Sequence, residues 1–109
     1  MSIEKYKKLF KQKRNYSIGV EEEFMICDPV SGRLIDKASD IMDRVKDKNR
    51  YSYELLLSEI ETNTPICDSV ESSIKHLSSH RKELRKIGKE VRYKIGISGT
   101  HPTARAVDQ

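Results

Sequence analysis

Residues 17–27, SIGVEEEFMIC, limit the possible folds more than any other stretch. The run has period two: Ile18, Val20, Phe24 and Ile26 lie on one side, and Ser17, Gly19, Glu21, Glu23, Met25 and Cys27 on the other. A strand of this kind gives one face to a core and the other to charge. The fitting architecture is therefore α+β, with helices packed on one face of a sheet. Glu22 falls on the apolar side, points away from its neighbours, and is expected to pair with a basic residue. Glu21 and Glu23 share the other face, with Cα atoms about 7 Å apart. Each carboxylate opposes ionisation of the other unless positive charge lies between them.

The chain has 109 residues, enough for one domain over 1–109, and its composition is 36% hydrophobic and 35% charged. It holds no apolar run long enough to cross a bilayer, and the start MSIEKYKKLFKQKR has no apolar signal core, so a soluble cytoplasmic protein is expected. Cys27 and Cys67 form no metal-binding spacing and sit beside apolar residues, as reduced, packed thiols would. The net charge of +4 comes from lysines and arginines gathered at 5–14 and 81–94. Few aromatics accompany them, so a nucleic-acid surface is disfavoured against solvated helix faces.

Along the chain, 3–13 is expected to form a short amphipathic helix. DPVSG at 28–32 is a turn, 33–36 a short returning strand, and 39–48 a helix. YSYELLLSEIE at 51–61 is predicted as the second strand. Asp68, with Glu71 three residues later, has capping-box spacing and opens a long helix to about residue 92. Val70, Ile74, Leu77, Leu84, Ile87 and Val91 would form its apolar stripe. His76 and His80 lie at the surface or the stripe edge in this scheme, and 93–98 forms a third strand ahead of the GTHP loop. The residues alone do not settle strand direction.

Glu59 and Glu61 repeat the acidic device on the second strand. If the two strands are neighbours, Glu21, Glu23 and Glu61 can converge on a divalent cation such as magnesium, which takes hard oxygen ligands. Neutralisation by arginine or lysine, or a fully solvated sheet face, would explain the same pattern.

The ordered set IGVEEEF at 18–24, SEIETNTPICDSV at 58–70 and GISGTHP at 96–102 resembles the N-terminal part of the type 2 glutamate–cysteine ligases and related carboxylate–amine ligases. The matching positions are Gly19, Val20, Glu21 and Glu23, then Glu61, Thr64 and Pro65, then Gly99, Thr100, His101 and Pro102. The resemblance implies a mainly antiparallel, partial glutamine-synthetase-like domain. It also implies that Glu21, Glu23 and Glu61 bind magnesium, which holds the phosphates of the co-substrate ATP. The implied chemistry is activation of a carboxylate, usually that of glutamate, as an acyl phosphate that an amine then attacks. Glu59, Thr100 and His101 would lie near the substrate or nucleotide cleft. Thr103 and Ala106 stand where the family pattern carries aromatics. Such domains are several times longer, so this chain is expected to be an N-terminal portion, inactive alone. An open strand edge would suit self-association, and a small non-catalytic interaction module is the competing function.

Overall fold

The computed structural model describes residues 3–5 and 17–108. Residues 3–5 are helical, and the remainder of the helix expected over 3–13 lies outside the described residues. Four strands, β1 (Glu21–Cys27), β2 (Tyr51–Tyr53), β3 (Glu59–Asn63) and β4 (Lys94–Gly96), form one sheet in the order β2-β3-β1-β4. Every pairing is antiparallel. Two helices, α1 (Ala38–Arg44) and α2 (Val70–Val91), complete the α+β architecture, with a 3-10 turn over Lys48–Arg50. Among the described residues no helix is long and apolar enough to cross a membrane.

β1 alternates in burial over Glu21–Phe24 and is then buried on both faces at Phe24, Met25 and Ile26. Phe24 and Ile26 are sealed, together with Ile60 of β3, Tyr51 of β2, Ala38 and Ile41 of α1, and Leu84 and Ile87 of α2. Each of the larger side chains contributes about 1.5–3 kcal/mol on full burial. Both helices therefore cover the same side of the sheet as Phe24, and the glutamate side stays open. β3 and β4 flank β1 and both run antiparallel to it, so α2 is a crossover between two parallel strands with β1 inserted between them.

Several expectations are corrected. The segment 51–61 is not one strand: Ser52 pairs opposite Glu61, so the chain reverses through 54–58 and β2 lies beside β3. The strand expected at 33–36 is a single bridge between Leu34 and Cys27, and 39–48 contains a shorter helix, α1, followed by the 3-10 turn. The α2 cap is Ser69 rather than Asp68, with its hydroxyl accepting from the Ser72 N–H at 3.1 Å. Val70 and Ile74 are 60% and 54% exposed, so they lie off the core. Leu84 and Ile87 of the expected stripe are buried, and Ser73, His80 and Gly88 complete the buried face of α2. His80 is 7% exposed and is no surface residue. Both cysteines are free thiols; Cys67 is buried, and burial raises the pKa of half-buried Cys27.

The end of α2 depends on one glycine. Arg92 closes the helix in the left-handed region at φ 63°, and Tyr93 returns so closely that a Cβ on Gly88 would sit 2.7 Å from the Tyr93 carbonyl oxygen. The Tyr93 hydroxyl, donating to the Leu84 carbonyl at 2.5 Å, holds the turn in place. Gly88→Ala gains about 1 kcal/mol in helix propensity and loses about 1–3 kcal/mol to the backbone overlap. A net loss, read as a lower urea midpoint, is expected; a higher midpoint would mean the turn relaxes freely.

Candidate metal centre

The open face of the sheet concentrates carboxylates because of register. Pairing of β1 with β3 puts Glu23 directly opposite Glu61, Glu21 opposite Asn63 and Met25 opposite Glu59. Side chains opposite each other on one face lie about 4.5–5.5 Å apart at Cβ. Pairing of β2 with β3 then brings the chain just after Tyr53 over the same face, and Glu54 joins the group. One carboxylate oxygen from each of Glu23, Glu54 and Glu61 lies within 4.8 Å of the others.

The electrostatics follow from that crowding. The Glu61 carboxyl is pushed up to about 8, first by its hydrogen bond with Glu54, then by that with Glu21, then by partial burial. Glu61 accordingly favours its protonated form well above the usual carboxylate range. Glu59 is also raised, by burial and then by the charges of Glu23 and Glu54. Of the residues predicted from sequence, Glu23 and Glu61 thus face each other, and Glu21 touches the cluster through Glu61. Glu59 stands at its margin.

The donor set suits a hard divalent cation. Around magnesium at about 2.1 Å, adjacent oxygens are about 3 Å apart and opposite ones about 4.2 Å. The three carboxylate oxygens lie within 4.8 Å of one another, a separation of the same order as those spacings. A cation would relieve the same crowding of negative charge that raises Glu61.

Glu22 belongs to the other face, as its position in the alternation requires. Arg81 of α2 donates from Nε to both its oxygens at 3.1 and 3.2 Å and from a terminal nitrogen as well. The same guanidinium lies 6.0 Å from the centroid of the Phe24 ring.

The GTHP loop lies elsewhere. Thr103 and Ala104 donate backbone N–H groups to His101 Nδ1 at 3.2 and 2.9 Å. Nδ1 is thus the acceptor, and Nε2–H donates to the Gly32 carbonyl at 2.8 Å. Both ring nitrogens are spent tying the loop to the turn beyond the C-terminal end of β1, whereas Glu21 and Glu23 lie in its N-terminal half. Thr100 is exposed, and its carbonyl accepts from the Ser98 hydroxyl. Neither residue is brought to the carboxylate cluster.

A sequence profile described as glutamate–cysteine ligase family 2 matches residues 17–109. A protein of Rubrobacter xylanophilus, provisionally named glutamate–cysteine ligase 2-1, is 34% identical over 86% of this chain and 26% of its own length. A Frankia alni protein with the provisional name glutamate–cysteine ligase 2-3 is 36% identical over 82% of this chain and 10% of its own length. One from Frankia casuarinae, again provisionally a glutamate–cysteine ligase 2-1, is 31% identical over 92% of this chain and 28% of its own length. The chain thus spans little more than a quarter, or less, of the curated relatives it matches.

Proposed function

This chain belongs to the glutamate–cysteine ligase family 2, and from that premise we propose that it is the N-terminal section of an ATP- and magnesium-dependent carboxylate–amine ligase. The observation that carries the proposal is the meeting of Glu23, Glu54 and Glu61 on one sheet face, with Glu21 bonded to Glu61. These residues would hold the magnesium, and Glu54 joins the set expected from the sequence. Bound there, the metal would offset charge on the ATP phosphates while a carboxylate, glutamate or one like it, is activated for attack by an amine. The chain's own part is to fix Glu23 and Glu61 on two paired strands, whose spacing varies less than that of loop residues, with Glu54 carried just beyond the end of β2.

The section alone is expected to be inactive, because further groups must complete the substrate and nucleotide sites. Incubated with magnesium, ATP, glutamate and cysteine, it should release no phosphate above the buffer rate. Turnover by this chain would overturn its assignment as a partial site. The metal assignment is tested separately with manganese as a paramagnetic stand-in. Amide resonances of 21–25, 54 and 59–61 should broaden first, and a Glu23→Gln, Glu54→Gln, Glu61→Gln variant should lose that selectivity. Broadening spread evenly over all acidic surfaces would sink the metal site.

A further inference from the structure

A groove of about 820 Å³ lies between the C-terminal part of α2, the start of β4 and the segments 28–30 and 35–37. Its floor is apolar: Tyr93 belongs to the core, and half-buried Ile35 and Ile95 pack against that core while lining the groove. Its rim is basic, with Lys37, Arg85, Lys89, Arg92 and Lys94 against one acidic residue, Asp28. Asp28 Oδ1 already accepts the Val30 and Ser31 N–H groups at 2.9 and 2.8 Å. Of the five cations only Lys37 has an ion-pair partner among the described residues, Asp40 at 3.8 Å. The groove therefore suits an acidic segment that carries bulky apolar side chains.

The same chain carries such a segment. In the reversal between β2 and β3, Tyr53, Leu55 and Leu57 are 50%, 95% and 51% exposed. Single exposed apolar residues are ordinary, but three on one reversal form a patch. Glu54 sits among them, and it has no ion-pair partner among the described residues. The loop is firmly placed: the Leu57 carbonyl accepts from the Ala38 N–H at 3.1 Å, and the Ser58 carbonyl from the Ile26 N–H at 2.8 Å. Ala38 adjoins Lys37 of the rim, so loop and groove occupy the same end of the sheet. At 95% exposure, however, Leu55 does not enter the groove of its own chain.

We propose that the groove takes the 53–57 loop of a second copy. Leu55 and Leu57 would lie against Ile35, Tyr93 and Ile95, with Glu54 against the basic rim. Because loop and groove share one end of the sheet, two copies related by a two-fold axis can exchange loops and close a dimer. Apolar contact supplies the affinity, and the charges orient the loop. Neither metal nor nucleotide takes part, so the contact stands apart from ligase chemistry.

The test is sedimentation of the whole chain over a concentration series, with EDTA present so that no metal bridges the carboxylates. A monomer–dimer equilibrium is expected. Leu55→Asp should weaken it about tenfold or more, the effect of losing a buried leucine at the contact. Arg85→Gln with Lys89→Gln should weaken it as well. All three residues are exposed, so each variant should keep the parent melting temperature. Amide spectra of mixtures then identify which surfaces meet. When isotope-labelled Leu55→Asp is mixed with unlabelled parent, its amides at 35–37 and 93–95 should shift and those at 53–57 should stay. With the labelled Arg85→Gln, Lys89→Gln variant the pattern should reverse. A chain that stays monomeric overturns the proposal, as does association indifferent to Leu55→Asp. Shifts at 53–57 of labelled Leu55→Asp as large as those in its groove overturn it equally.

Discussion

The metal-free protein is expected to melt lower at pH 8 than at pH 5, and magnesium is expected to reverse that loss at pH 8. Glu61 carries both effects. Its carboxyl titrates near 8 in the folded chain, and an unfolded glutamate titrates at about 4.3. Between those values the folded state binds a proton that the unfolded state does not, so stability falls as pH rises through the window. Below the unfolded value both states are protonated and the penalty is absent; above about 8 it is complete. Glu59, raised in the same direction, adds to the slope. The cluster borders solvent, and screening reduces the total to about 1–2 kcal/mol. A domain of this size shifts by about 4–8 °C for each kcal/mol.

Glu61→Gln separates this from other titrations. The amide keeps a donor for Glu54 and Glu21 and cannot ionise, so the variant should match the parent at pH 5 and melt above it at pH 8. Magnesium at ten times its dissociation constant should raise the parent by about 1.4 kcal/mol at pH 8, equivalent to several degrees. The variant, one ligand short, should respond less. A parent whose melting temperature stays level from pH 5 to 8, or a variant that responds fully to magnesium, would show that the four carboxylates are independent and solvated.

The sequence exposed the acidic face because β1 is a regular strand with an unbroken register against β3, so parity alone separates Glu22 from Glu21 and Glu23. It hid Glu54 because YSYELLLSEIE has strand-forming residues throughout and no glycine or proline to mark the reversal. The chain turns there with Leu55 and Leu57 95% and 51% exposed, an outcome that hydrophobic patterning works against. The apolar stripe of the long helix holds at Leu84 and Ile87 but fails at its start, for a related reason. Val70 and Ile74 fit the helical period, but so do Ser73 and His80, which share the buried face with Leu84 and Ile87. Ser73 can be buried because its hydroxyl donates back to the Val70 carbonyl at 2.7 Å. A periodicity argument that counts only apolar residues passes over the face carrying serine and histidine. His101 shows a different limit: its residues fit the family motif, while its role in tying down the loop depends on backbone contacts that only the folded chain displays.

The middle glutamate accounts for the second large effect. Glu22 is 14% exposed at its side chain, and its charge is tolerable on the core side of β1 only because Arg81 grips both oxygens. Arg81→Ala would leave a nearly buried carboxylate without its partner. Breaking a fully buried pair costs about 3–5 kcal/mol, and the 38% exposure of Arg81 reduces this to about 2–3 kcal/mol. Loss of the guanidinium over the Phe24 ring contributes to the same total. Adding Glu22→Gln to Arg81→Ala should recover part of the loss, because an uncharged amide costs less to hold there, and the difference between single and double variants in urea melts gives the coupling. Full additivity would mean that water already compensates Glu22. The pair also bears on the metal face: Glu22 lies between Glu21 and Glu23 in sequence, so the link to α2 fixes the β1 backbone from which both project. If that link positions the ligands, Arg81→Ala should weaken manganese broadening at Glu23 under conditions where the chain remains folded. The carboxylate cluster would then depend on a cation on each side of the sheet, a guanidinium beneath it and a metal above.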